Sequence, residues 1–306
     1  MASVLWTPCR DGAKVLRVLG DSPCPAVPAA VDGLPVTELG AYCFSAKAVS
    51  GGQLYPPGSA DTHEIVGEFV QQVTLPDTLH TLHSAAFYNC RNLRTVQMGA
   101  AAENFGSDLF TNCRSLQTLV LHAAPAASTG LRKLLVGISA DLCVQFAPAD
   151  KPETELFYPE YFEYMDENAP AHIFNHQLEG EGYRMRQCFA AGAVDFAAYD
   201  AVFAQACVGE SVQTLCRLAL ARLCLPFALS DAARTDYEFY LTAHPDAAFA
   251  LAIRRRDEAA LRVLVALGLP TADATALCGR AGWSAGAAIL LQRPKKAPKS
   301  YDFDDL

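Results

Sequence analysis

The chain has 306 residues, 51% of them hydrophobic, with 24 basic against 33 acidic side chains, enough apolar material for a sizeable core and roughly two domains by length. A formal charge of −9 excludes an electrostatic grip on nucleic acid or anionic lipid, both of which need clustered Lys and Arg. The longest uncharged run, Ser115 to Leu131, is broken by Pro125, His122, Ser128 and Thr129, so no membrane insertion is expected.

Met1 to Gly12 shows no cationic stretch followed by an apolar one, so no secretory signal is read there and a cytoplasmic location is expected. Eleven cysteines, an odd number without any C-x-x-C pair, fit reduced and mostly buried thiols better than a disulfide framework or a structural zinc site.

A step of 23 residues organises the first half. It relates Val70, Leu93 and Leu116, then Val73, Val96 and Leu119, then Leu75, Met98 and Leu121. Phe87 to Phe110, Asn89 to Asn112 and Cys90 to Cys113 repeat the same step, so FYNCRNLRTVQM and FTNCRSLQTLVL are two copies of one unit. The step continues to Leu142 and Val144, which with Phe146 alternate as a further short strand. Upstream, Val36, Leu39 and Phe44 match the spacing of Leu79, Leu82 and Phe87, and Lys47 to His63 reads as an excursion loop. A single unit cannot bury its Leu, Val and Phe residues. Stacked units form a continuous core and a parallel ladder, in which Cys90 and Cys113 act as small apolar fillers.

VTLPDTLHTLHSAAFYNCRNLRTVQM resembles the BspA-like leucine-rich repeats, through Leu75-Pro76, Leu82, Ala86-Phe87 and Cys90-x-x-Leu93, with Leu39-Gly40 and Phe44 keeping the turn upstream. The resemblance spans about residues 27–146. The third unit departs from it, with Gly99 to Glu103 in place of a Leu-Pro pair and Phe105 in place of Ile or Leu. What the resemblance implies is a β-solenoid that serves binding or adhesion, in a family often exported and without catalytic residues.

From Pro152 to Tyr183 there are eight Asp or Glu and no Lys or Arg, interleaved with Phe157, Tyr158, Tyr161, Phe162, Tyr164 and Phe174. The repeat register stops here, and APADKPE places a domain boundary near 147–152. Two readings of the acidic run stand side by side. One is a solvated helix face with its aromatics packed inward, the other a docking strip for a basic partner in which Tyr158, Tyr161, Phe162 and Tyr164 form the interaction surface.

After residue 184 the apolar spacing becomes three and four, as in Leu215, Leu218, Leu220 and Leu223, which predicts helices. ALAIRRRDEAALRVLV from Ala250 and ALCGRAGWSAGAAILL from Ala276 align at an offset of 26, and CFAAGAVDFAAYDAVF from Cys188 has a similar form. Short helices with small facing residues and Gly-containing turns predict stacked helical hairpins. AIRRRDEAALRVLVALG resembles the helical part of an ankyrin repeat, at a shorter period and without the Thr-Pro-Leu-His opening. The fold class expected is therefore α+β: a leucine-rich-repeat solenoid over 1–150, an ankyrin-like all-α domain over 151–292 and a disordered tail over 293–306.

Chemistry-bearing patterns are few. His172 and His176 lie four apart, so a helix would put both imidazoles on one face near Glu179 and Glu181, as zinc could use, but the Glu that a zincin base requires beside the first His is missing. His80 and His83 flank the inward Leu82 and are expected on the outer surface of the coil. Arg254 to Arg256 would fan around a helix as a solvated or salt-bridged turn. No G-x-G-x-x-G, G-x-x-x-x-G-K-[ST] or G-x-S-x-G occurs. No catalytic residue, cofactor site or metal site is therefore assigned. The function expected is non-enzymatic binding of another protein or peptide. The rivals are a metal-binding protein or hydrolase using His172 and His176 between the domains, and a surface adhesin.

Overall fold

A computed structural model describes residues 2–59, 63–149, 151–168 and 173–291, with the backbone alone at 166–168 and 173–176. The chain divides into two compact units, Met1–Glu210 with Leu225–Ser230, and Ser211–Cys224 with Asp231–Leu306. His172 and the expected tail lie outside the described residues.

The first unit opens with the antiparallel pair β1 (Ser3–Cys9) and β2 (Gly12–Leu19), followed by β3 (Ala30–Val31), β4 (Leu34–Leu39) and β5 (Gln53–Tyr55). The coils then supply β6 (Gln72–Thr74), β7 (Thr81–Leu82), β8 (Thr95–Gly99), β9 (Asn104–Phe105) and β10 (Thr118–His122). A short helix α1 (Leu131–Leu135) precedes β11 (Leu142–Phe146) and β12 (Thr154–Tyr158). Two ladders result. One runs β5-β1-β2-β4-β7-β9, the other β12-β11-β10-β8-β6.

The second ladder is the 23-residue step made physical. Val73, Val96, Leu119 and Val144 stand in register across β6, β8, β10 and β11, all parallel and all fully buried. Val70, Leu93 and Leu116 form the next buried row. Phe44, Phe87 and Phe110 stack at 5.2 Å between successive centroids, so the interior filler repeats with the strands. Gly106 is required by this close stacking, because a Cβ there would run into the backbone amide of Ser84 one coil below.

The boundary expected near residue 150 is crossed by β-structure. β12 pairs antiparallel with β11, Leu142 opposite Tyr158 and Val144 opposite Leu156, and so covers the last parallel strand. The acidic run expected as a helix face is instead strand: after β12 come β13 (Phe162–Asn168) and β14 (Ile173–Glu179), paired with each other. The open backbone groups of β11 select an extended partner, and alternating large side chains satisfy that demand. α2 (Gly182–Met185), the small hairpin β15 (Phe189–Ala190) and β16 (Ala193–Val194), and α3 (Phe196–Gly209) complete this unit. Cys188 to Phe203 is thus a β-hairpin leading into a helix and not a copy of the later helical pairs, because Asp195 caps α3 by accepting from the Ala198 amide and so starts the helix late.

The second unit consists of α4 (Val212–Cys224), α5 (Asp231–Ala243), α6 (Pro245–Arg255), α7 (Glu258–Ala266), α8 (Ala272–Arg280) and α9 (Ser284–Leu291). The offset of 26 holds down to single hydrogen bonds. The Asp257 amide donates to Ala252 O at 2.9 Å and the Trp283 amide to Cys278 O at 3.0 Å, each closing the turn between paired helices. Arg256 and Gly282 hold the same left-handed turn position, and Ala252 with Cys278, and Leu264 with Leu290, are buried at matching sites. Among the described residues, no helix is long and apolar enough to cross a membrane.

Candidate functional site

The four aromatic residues expected as one surface separate into two environments. Tyr158 and Tyr161 are buried, 0% and 8% exposed, and pack around Arg186. The Arg186 guanidinium lies 5.6 Å from the Tyr158 ring centroid and 5.1 Å from that of Tyr161. Its Nε donates to Ile138 O at 2.9 Å, its Nη1 to Pro159 O at 2.6 Å and Gly182 O at 2.9 Å, and its Nη2 to Ala140 O at 2.7 Å. Burial pulls Arg186 down to about 10, still charged at neutral pH, and pushes both tyrosine hydroxyls up. Tyr158 and Tyr161 therefore belong to a structural hub and are withdrawn from the surface: β12 turns Tyr158 inward beside Leu142, and the Tyr161 amide is tied to Ser139 O at 3.0 Å.

Phe162 and Tyr164 remain on the surface, 48% and 47% exposed, their rings stacked with centroids 6.3 Å apart. Both sit on β13, two residues apart and hence on one face of the β13–β14 hairpin. Met165, 69% exposed, and Leu178, 40% exposed, occupy the other face by the register that sets Glu163 opposite Leu178 and Tyr164 opposite Gln177. The hairpin forms a two-stranded sheet by itself, so among the described residues the outer edge of each strand is unpaired. Glu163, Asp166, Glu167 and Glu179 lie along it, and no Lys or Arg falls within 162–179. Exposed apolar side chains on both faces, open strand edges and one sign of charge suit a protein or peptide surface.

His176 lies in the strand β14 opposite Met165 and not on a helix. Among the described residues no group of three or more His, Cys, Asp or Glu could hold a metal ion. His80 is exposed, and His83 reaches Glu38 Oε2 at 2.8 Å, where Lys14 Nζ also arrives at 2.8 Å. Cys90 fills the coil as expected, whereas Cys113 is half-buried at its end; their thiols donate to Phe44 O at 3.1 Å and Phe87 O at 3.0 Å. Burial pushes Cys113 up to about 12 and Cys90 higher still, which makes both poor nucleophiles. Arg254 donates to the side-chain oxygen of Gln213 within the second unit, and Arg256 closes the turn after α6, so the triple arginine is split between roles.

Two buried arginines leave no mark in the sequence. Arg186 and Arg17, both fully buried, are indistinguishable by residue type from the exposed Arg91 and Arg114. Their neighbouring apolar residues give only a weak signal, because an arginine stem packs as readily on a surface as in a core.

Residues 67–127 match the family model of the BspA type leucine rich repeat region. No curated protein matches the chain. Among solved structures, a leucine rich repeat protein of T. pallidum is similar at 21% identity and a TM-score of 0.30, over 39% of this chain and 50% of its own. A leucine rich cell surface protein from Faecalibacterium prausnitzii A2-165 is similar at 20% identity and a TM-score of 0.28, over 40% of this chain and 33% of its own. The chain thus spans half the length of the first and a third of the second.

Proposed function

We propose that this chain, which carries a BspA type leucine-rich-repeat region at residues 67–127, is a non-enzymatic interaction protein that docks another protein or peptide through the β13–β14 hairpin. The observation that carries the reading is the exposure of Phe162, Tyr164, Met165 and Leu178 on a hairpin whose outer edges pair with nothing described. Stacked coils offer extended surface, which suits macromolecular partners more than small molecules. Tyr and Phe are the residue types that anchor such contacts, and the acidic residues around them favour a partner with basic side chains. A cytoplasmic site of action is part of the proposal, on the ground that eleven cysteines, an odd number without any C-x-x-C pair, suit a reducing compartment.

Affinity capture from a native lysate with the full chain, read by mass spectrometry, tests this against the double variant Tyr164→Lys, Met165→Lys. The expected result is a set of captured proteins lost with the variant at an unchanged thermal midpoint. An identical set from both proteins would remove the hairpin from the account.

A further inference from the structure

A second set of backbone bonds runs between coils at the turn that carries the stacked phenylalanines. The amides of Ala85, Phe87 and Asn89 donate to the carbonyls of Ser107, Leu109 and Thr111 at 2.9, 3.1 and 3.0 Å, and Phe44 donates to Ala86 O at 2.8 Å in the same register. Each turn therefore shows carbonyls toward the start of the solenoid and amides toward its end. At the start, Cys43 O and Ser45 O hold the places of Leu109 O and Thr111 O. Both accept from Arg17 Nη1, at 2.9 and 2.6 Å, so a buried guanidinium stands in for a preceding coil.

The other end has no such cap. Asp108, Phe110 and Asn112 hold the places of Ala85, Phe87 and Asn89, and among the described residues their amides donate to no carbonyl. The next coil is missing at this point, because the chain 23 residues further on turns into α1. An open groove follows the rung, with Phe110, Thr111 and Arg114 on one wall and Gly137 to Ala140 on the other. Arg114 is the charged residue lining this groove; Lys133 and Asp108 line the adjoining one, which shares Phe110, Thr111 and Gly137 with it, so the balance along the two is cationic, and the Asp108 carboxylate is engaged by the Thr111 hydroxyl at 3.3 Å. Backbone donors left at the end of a ladder are a template for an added extended segment.

We propose that this open rung binds an extended peptide segment of a partner protein, which supplies carbonyls to the amides of Asp108, Phe110 and Asn112 and a carboxylate to Arg114. The site is separate from the hairpin and stands whether or not the hairpin binds.

Residue-resolved amide exchange on the full chain tests it, using as probe a blocked seven-residue peptide with a central phenylalanine flanked by aspartates. Without peptide, Ala85, Phe87 and Asn89 are expected to be protected while Asp108, Phe110 and Asn112 exchange quickly. Saturating peptide slows those three by about tenfold or more, and Arg114→Glu, on an exposed side chain, weakens the peptide by about tenfold. Protection of the three amides in the free chain at every concentration, or no change on adding peptide, overturns the proposal. Protection that grows with protein concentration assigns the rung to a second copy of the chain and overturns the partner assignment.

Discussion

Asn112 Nδ2 donates to Asn89 Oδ1 at 2.8 Å, and the two residues, 23 apart, share a φ of 63°. Ala85 and Asp108, also 23 apart, share a φ of 57°. The repeat is therefore one of backbone torsion as well as of apolar rows. Asparagine suits the left-handed position because its short amide tolerates it and can bond to the same amide one coil away.

Asn112→Ala loses both advantages and should cost about 1–2 kcal/mol, whereas Asn112→Gly keeps the torsion accessible and should cost less. Chemical denaturation of the two variants gives the difference. Equal losses would show that the left-handed torsion carries no weight.

Arg186 ties four carbonyls, those of Ile138, Ala140, Pro159 and Gly182, into one hub. Arg186→Met keeps the apolar stem and leaves buried acceptors without a donor, at about 3 kcal/mol or more. A thermal melt in which the variant matches the parent would contradict that role.

Burial tends to raise the Glu38 carboxyl, but the hydrogen bonds from Lys14 and His83 outweigh it and hold the group below its ordinary value. A depressed carboxylate contributes stability that is present above the unfolded pKa, about 4.3, and is lost as the pH falls through the folded value. Glu38→Gln should therefore lower stability at pH 7 and narrow its gap to the parent as the pH drops toward 3. Urea midpoints measured across that range check the sign, and a gap that widens in acid would reverse it.

What was legible in the sequence was whatever repeats. Leu93 and Leu116 stand 23 apart and Ala252 and Cys278 stand 26 apart, each pair in one environment, so pattern alone points to the stacked coil and to the helical pairs. The stretch from Thr154 to Glu179 shows no strand pattern in its sequence because its strands lack a consistent inward face: Tyr158 is buried in β12 while Phe162 and Met165 are exposed on opposite faces of the hairpin. Of the four expected surface aromatics, two remained at the surface and two went to Arg186, a partner 28 residues from Tyr158 that only the fold brings near. The open rung at Asp108 to Asn112 was invisible for a different reason. It is made of backbone amides, and a one-letter sequence carries no mark of which amides lack an acceptor.

The account depends most on Leu93 and Leu116 lying inside a stacked coil, where they are 0% and 6% exposed. Equilibrium unfolding of Leu93→Ala and Leu116→Ala addresses this directly: each should lose about 2–5 kcal/mol by creating a cavity in the shared row. Unfolding midpoints indistinguishable from the parent in both variants would show that these leucines do not form a core, and the coil with its surfaces would fall with them.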